Sequence, residues 1–344
     1  MPVSLLFLLG LAALSAAIAW AMARWRLIVD VPNARSSHVR PTPRGGGLGI
    51  LIAFGAGLLF AEGGAFLRDP AFLGVALGAV IAGLAGLADD IRGLSYAMKL
   101  GGQAAAAILA IALGAVVETL DLPGLGPVSL GVFGPVLTFF WLVGLTNAYN
   151  FMDGLDGLAG GTAMLAGALL AAAALLAGAP GVAALALLLT AASAGFLVLN
   201  LPPARIFMGD VGSQFLGFAF AGLGVLLARD DATGTLILVV PLLLFHFLFD
   251  TIFTALRRTL NGENPTAAHR GHLYQLLNRA GLSHRCVALT HGALVVLQGL
   301  GALWLVGAAP QARWLAFAPF LVLQAAYAAT AFGLFRRASK GTAI

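Results

Sequence analysis

Eleven apolar stretches, each about as long as a membrane-crossing helix, divide this chain almost from end to end. They fall at residues 3–23, 46–62, 71–88, 98–117, 129–146, 158–178, 181–199, 212–228, 233–255, 287–308 and 314–335. With 60% hydrophobic and 10% charged residues, the chain lies outside ordinary soluble composition, and little is left over for a water-soluble domain. The expected fold class is an all-α polytopic membrane protein of about eleven transmembrane helices, forming a single integral domain over residues 1–344.

Charge orients it. The first apolar run has no basic residue before it and Arg24 and Arg26 after it, the reverse of a cleavable signal peptide. It is expected to stay as a helix with its N-terminus outside. Alternating from there puts sixteen of the nineteen Lys and Arg residues inside and leaves Arg68, Arg229 and Arg313 outside, as the positive-inside rule requires. The C-terminus is then cytoplasmic, and the inner loops are about 24–45, 89–97, 147–157, 200–211 and 256–286. The net charge of +5 reflects this orientation and leaves room for an anionic substrate, and no segment resembles a nucleic-acid-binding module. Cys286 is the one cysteine, so any metal must be held by oxygen or histidine.

In so apolar a chain, polar clusters need explaining. The densest, Asn147 to Gly161, reads NAYNFMDGLDGLAGG. Asp153 and Asp156, three apart, point the same way on a helix or tight turn. Beside Asn147 and Asn150 they make an oxygen-rich corner of the kind a hard divalent cation prefers. The alternative is that Asp156 caps the next helix and the glycines serve close packing. The first inner loop, DVPNARSSHVRPTPRGGG from Asp30 to Gly47, is kept irregular by its prolines and glycines and offers donors for phosphate or sugar oxygens. Asp89 and Asp90 close the third apolar run ahead of Arg92 and Lys99. A carboxylate pair at a helix C-terminus faces the negative end of the macrodipole, so it is read as a general base or cation site and not as a cap, with a solvated pair at the membrane edge as the alternative.

In the fourth loop, NLPPARIFMGDVGS, Asp210 is either a plain N-cap or a metal ligand at a helix N-terminus. The fifth brings His269, Arg270 and His272 close together, and Arg270 with His272 is the pair expected to hold a pyrophosphate. Asp250, within the ninth apolar run, is expensive in lipid and is expected to face the bundle interior. With that exception every candidate group lies on one expected face, the pattern of an active site at the cytoplasmic surface.

Taken together, the motifs resemble the polyprenyl-phosphate N-acetylhexosamine-1-phosphate transferase superfamily over nearly the whole chain. The resemblance rests on PNARSSHVRPTPRGGG, LADDIRGLS with Lys99, NAYNFMDGLDGLAGG, FMGDVGS, and Pro241 through Asp250 leading to RGHLYQ, in that order. It implies transfer of a sugar 1-phosphate from a UDP-N-acetyl sugar to undecaprenyl phosphate with release of UMP, in a bacterial inner membrane. It also implies dependence on magnesium, with manganese as a substitute, and leaves a homodimer open. By motif, Asp210 and Asn150 would ligate the magnesium, and Asp89 would be the base for the lipid phosphate with Asp90 in support. Lys99, Arg270 and His272 would neutralise phosphate charge, and Asp153 and Asp156 would shape the nucleotide and metal site. Arg44, Asn147 and Asp250 stand with the substrate-binding residues. Many relatives carry several histidines where this chain has His272-Leu273-Tyr274-Gln275, a form closest to the WbpL/WecA type. That points to initiation of O-antigen or another surface polysaccharide, with peptidoglycan or teichoic-acid initiation as the alternative.

Other classes fit less well. A secondary transporter would place its charges near the midplane and its broken helices in matching halves, and no halves match here. A CDP-alcohol phosphotransferase would need an arginine and spaced aspartates that DGLDGLAGGTAML lacks. An intramembrane aspartyl protease needs two aspartates inside spans, and only Asp250 qualifies.

Overall fold

In the computed structural model, residues 4–32, 40–264, 267 and 269–341 are described, less the side chains of 62–65, 340 and 341. The Asn33–Val39 part of the first motif lies outside the described residues, as do positions 265, 266 and 268 of the fifth loop. The chain is helical because its apolar runs are rich in Leu and Ala, and a helix satisfies every backbone group within the segment when the solvent is lipid. The helices are α1 (Leu5–Trp25), α2 (Gly47–Phe60), α3 (Pro70–Arg92), α4 (Tyr96–Ala112), α5 (Phe133–Phe151), α6 (Leu158–Leu176) and α7 (Pro180–Asn200). There follow α8 (Asp210–Arg229), α9 (Val239–Leu243), α10 (Phe245–Leu260), α11 (Leu273–Arg279), α12 (His284–Gly307), α13 (Pro310–Arg313) and α14 (Ala318–Gly341). Ser4, Asp69, Ser95 and Ser283 cap the starts of α1, α3, α4 and α12 with side-chain oxygens.

Helices stand at all eleven expected positions, but not all are of spanning length. Among the described residues seven are long and apolar enough to cross a membrane, eight if the pair α9 and α10, bent by 78°, is one span. The count of eleven is not reached on that measure, for two physical reasons. α2, with 14 residues, and α4, with 17, fall short of the about 20 residues a straight span usually takes. The expected run at 129–146 begins in a hairpin, β3 (Thr119–Leu122) and β4 (Gly126–Ser129), and α5 spends its last turns on Asn147 and Asn150.

α8 is the axis of the bundle: every residue from Val211 to Ala228 is buried. It packs chiefly against α3 and α5, while α6 packs against α7 and α12, and α1 against α7 and α2. In lipid such packing is held by close van der Waals fit, so small residues lie where helices touch. Gly86 is the clearest case, because a Cβ there would collide with the backbone of Asp210. That contact sets the end of α3 directly against the start of α8, and the two aspartates of the third run beside the fourth motif.

Candidate active site

The first and fourth motifs are stitched together by backbone. Strands β1 (Val29–Asp30) and β2 (Thr42–Pro43) pair in antiparallel fashion, and Phe207 N donates to the Pro43 carbonyl at 2.9 Å. Gly46 and Gly47 N–H then donate to Phe207 and Met208 carbonyls, each at 2.9 Å. A Cβ at Gly47 would collide with the backbone of Gly212, so the glycine run exists for close approach as well as for turning. This fixes Arg44, between strand and glycines, over the N-terminus of α8.

There the carboxylates and cations converge. Arg44 contacts Asp90 Oδ1 at 2.6 Å and Asp210 Oδ1 at 2.8 Å. Lys99 Nζ bridges Asp89 Oδ2 at 3.1 Å and Asp210 Oδ2 at 3.3 Å. Burial alone would lower the Arg44 pKa, but Asp90 and Asp210 reverse that and hold it above its ordinary value. Asp90 corrects one expectation: it is a cap, though of another helix. Its carboxylate, fully buried, accepts from Asp210 N at 2.9 Å and Val211 N at 3.1 Å, the first free donors of α8. The N-cap residue of α8 itself is Gly209, so Asp210 is not a plain N-cap, and its side chain is free to turn toward Arg44 and Lys99.

Buried amides extend the cluster inward. Asn147 Nδ2 donates to Gln103 Oε1 at 2.6 Å, Gln103 Nε2 to Gln214 Oε1 at 3.3 Å, and Gln214 Nε2 to Asp210 Oδ2 at 3.4 Å. Asn150 Nδ2 donates to Ser213 Oγ at 2.8 Å. Gln103, Gln214 and Ser213 are absent from the expected site. Spacing could have found two of them, because Gln103 and Gln214 stand one helical turn after Lys99 and Asp210 on otherwise apolar helices.

Asp153 and Asp156 part company. Asp156 accepts from Ala204 N at 3.0 Å and pairs with His284 Nδ1 at 3.2 Å, tying the third, fourth and fifth inner segments. Asn200 reinforces that tie by accepting from Gly157 N at 3.0 Å. The Asp153 carboxylate accepts no hydrogen bond among the described residues. Burial, then the nearby Asp210 charge, pushes its pKa up to about 7, against the pull of Arg44. A raised folded pKa means the native state holds an extra proton between about pH 4 and pH 7, so this group lowers stability as pH rises through that window. Asp153→Asn is therefore expected to melt above the parent at pH 8, by roughly 1–2 kcal/mol of stability once partial solvent screening is allowed for. Thermal unfolding at pH 4 and pH 8 checks this, and a gap of the same size at both would show that no titration underlies it.

The fifth segment joins through Tyr274. Its hydroxyl donates to the Phe151 carbonyl at 3.1 Å, which brings the start of α11 against the third motif. Asp250 is fully buried and faces inward, accepting from Thr254 Oγ1, His272 Nδ1, Leu273 N and Tyr274 N at 2.9 to 3.2 Å. It thus caps α11 from a distance and acts on the site through His272 and Tyr274. His272 stacks on His269 with ring centroids 4.9 Å apart. Arg270 Nε is buried without a hydrogen-bond partner among the described residues.

Asp210, Asn150 and the Asp153 carboxylate put oxygen atoms near the start of α8, where a metal could find donors. Among the described residues no three of His, Cys, Asp and Glu stand together as a ready metal site. Magnesium commonly binds through one or two carboxylates completed by substrate phosphates, so this donor set fits it without a preformed cage.

The glycosyl transferase family 4 model matches residues 72–228, the stretch holding the second, third and fourth motifs. The probable undecaprenyl-phosphate N-acetylglucosaminyl 1-phosphate transferase of Bacillus subtilis is 37% identical over 76% of this chain and 72% of its own length. The decaprenyl-phosphate N-acetylglucosaminephosphotransferase of Mycolicibacterium smegmatis is 33% identical, over 76% and 71%. The phospho-N-acetylmuramoyl-pentapeptide-transferase of a Synechococcus is 33% identical, over 87% and 90%. With that identity spread across most of both chains, and the motif residues meeting at one end of the bundle, this chain belongs to glycosyl transferase family 4.

Proposed function

We propose that the protein transfers an N-acetylhexosamine 1-phosphate from a UDP-sugar to a polyprenyl phosphate, releasing UMP. The observation that carries this reading is the meeting of Arg44, Lys99, Asp89, Asp90 and Asp210 at one point of contact between α3, α4 and α8. Phosphoryl transfer asks a protein mainly for positioning and charge neutralisation, and this cluster offers both. An oxygen of the acceptor phosphate attacks the phosphorus that bears the sugar. The bond to the bridging oxygen breaks, and UMP leaves with that oxygen. Asp89 and Asp210 are both engaged by Lys99, which suits charge positioning better than nucleophilic attack by either.

Three carboxylates face two cations here, while both substrates are anionic, so the site needs further positive charge. Magnesium held by Asp210 and Asn150 would supply it, polarising the diphosphate. Asp89 is the proposed acceptor of the lipid phosphate's remaining proton. That proton is scarce at neutral pH, since a phosphate monoester loses it near pH 6. Arg270 and His272 are proposed to hold the diphosphate. The proposed setting is a bacterial inner membrane, with the N-terminus outside and all eleven expected segments crossing it. The product would initiate a surface polysaccharide such as O-antigen.

Purified protein is expected to release UMP from one of a panel of UDP-N-acetyl sugars, only with polyprenyl phosphate and magnesium present. Release from UDP-N-acetylmuramoyl-pentapeptide alone would favour the peptidoglycan reading. No release from any donor by folded protein would sink the transferase reading.

A further inference from the structure

The Arg270–Gly271–His272 stretch is irregular chain that leads into α11. Side chains hold its backbone. Arg279 Nη1, on α11, donates to the Arg270 carbonyl at 3.1 Å, and Arg257 Nη2, on α10, to the Gly271 carbonyl at 2.7 Å. His269 Nδ1 accepts from Gly271 N at 3.1 Å, and Gln275 Oε1 from His272 N at 3.3 Å. The two arginines therefore grip the peptide planes on either side of Gly271, the residue that joins Arg270 to His272. A Cβ at Gly271 would come within 2.8 Å of Arg257 Nη2, so the glycine lets the guanidinium reach the chain. Each guanidinium also lies over a ring of α14. Arg257 Cζ is 5.0 Å from the centroid of Phe332, and Arg279 Cζ is 4.7 Å from that of Phe335. Those rings stand one helical turn apart on the helix against which α11 packs.

We infer, resting on the transferase reading above, that Arg257 and Arg279 are positioning residues that hold Arg270 and His272 at a fixed spacing for the donor diphosphate, with Phe332 and Phe335 as their supports. Two groups can share a diphosphate only if the chain between them stays in place, and a misplacement of about 1 Å is costly. A glycine link would otherwise be the softest part of that chain. A charged donor makes a stronger hydrogen bond than a neutral one, which suits arginine to pinning a carbonyl. The arginine side chain is long and rich in rotamers. A ring beneath the guanidinium face restricts it and leaves the N–H edge free to donate in its own plane. α14 thus supports the donor site from outside it.

The test measures KM for polyprenyl phosphate and for the UDP-N-acetyl sugar that the parent turns over, in parent, Arg279→Gln, Phe335→Leu and Phe335→Tyr proteins. Phe332 also packs on Phe253, with centroids 6.0 Å apart, so Phe335 is the cleaner ring to remove. Arg279→Gln is expected to raise KM for the UDP-sugar about tenfold and Phe335→Leu about threefold, the scales of a charged hydrogen bond and of an exposed cation–π contact. Phe335→Tyr keeps a ring and stays at the parent value, and KM for polyprenyl phosphate is unchanged throughout. If Arg279→Gln is impaired while Phe335→Leu is not, the arginine is a direct phosphate contact and the positioning role is overturned. An unchanged donor KM in Arg279→Gln also overturns it, as does an equal rise for both substrates, which marks general distortion. Hydrogen exchange supplies the second readout: faster exchange over residues 269–272 in Arg279→Gln and Phe335→Leu supports the role, and unchanged exchange overturns it. If the parent releases UMP from no donor, the transferase reading fails by itself, while exchange still reports whether the arginines hold this stretch.

Discussion

Asp210→Asn is expected to lower UMP release about a thousandfold, the scale seen when a charge-stabilising group is lost from a phosphoryl- or acyl-transfer site. The substitution keeps shape and removes charge. Arg44 at 2.8 Å and Lys99 at 3.3 Å then face a neutral amide, and two cations lose the carboxylate that holds them apart. The α8 N-terminus itself should survive, because Asp90 supplies its acceptor. Binding of the UDP-sugar, measured by calorimetry, is expected to weaken in the presence of magnesium and to change little in its absence. Unchanged turnover would remove Asp210 from the site. Lost turnover with an unaltered magnesium dependence of binding would leave it only as the partner of Arg44 and Lys99.

Asp250→Ala is the second large effect, and it acts at a distance from the reacting atoms. The fully buried carboxylate accepts from Leu273 N, Tyr274 N, Thr254 and His272. Removing it leaves buried donors without partners, at a cost of about 3 kcal/mol. The start of α11 should loosen, seen as faster amide exchange over residues 272–279, and turnover should fall about a hundredfold as His272 loses its orientation. Asp250→Asn, which keeps an acceptor oxygen, should fall between variant and parent in both readouts. Activity lost with exchange unaltered would mean that Asp250 touches substrate directly, as the motif resemblance implies.

Much of the site was legible because charge is scarce in a chain of this composition. Asp89, Asp90, Lys99 and Asp210 stand out against apolar neighbours, and the structure brings them together with Arg44 of the first motif. Roles were less legible than membership. The macrodipole argument against Asp90 as a cap holds for its own helix, α3, but is silent about the N-terminus of α8, 120 residues away in sequence. The periodicity that aligned Asp153 with Asp156 assumed a regular turn. Gly157, at φ 74°, and the tie from Asp156 to His284 separate the two instead, with Asp156 paired and Asp153 without a hydrogen bond among the described residues.

The sequence by itself determined that this is a helical membrane protein, where its helices lie, and which polar motifs interrupt them, because hydropathy and charge spacing are local properties of a chain. Only the tertiary structure decided which aspartate caps, which pairs and which stays without a hydrogen bond. Those assignments depend on contacts such as Gly86 against Asp210 and Gly47 against Gly212, where two distant segments meet without side chains between them. Helix length was decided there too. α2 gives way to a 3-10 stretch at Ala61 and α4 to a turn at Leu113, and an apolar run does not record how much of itself will be wound into helix.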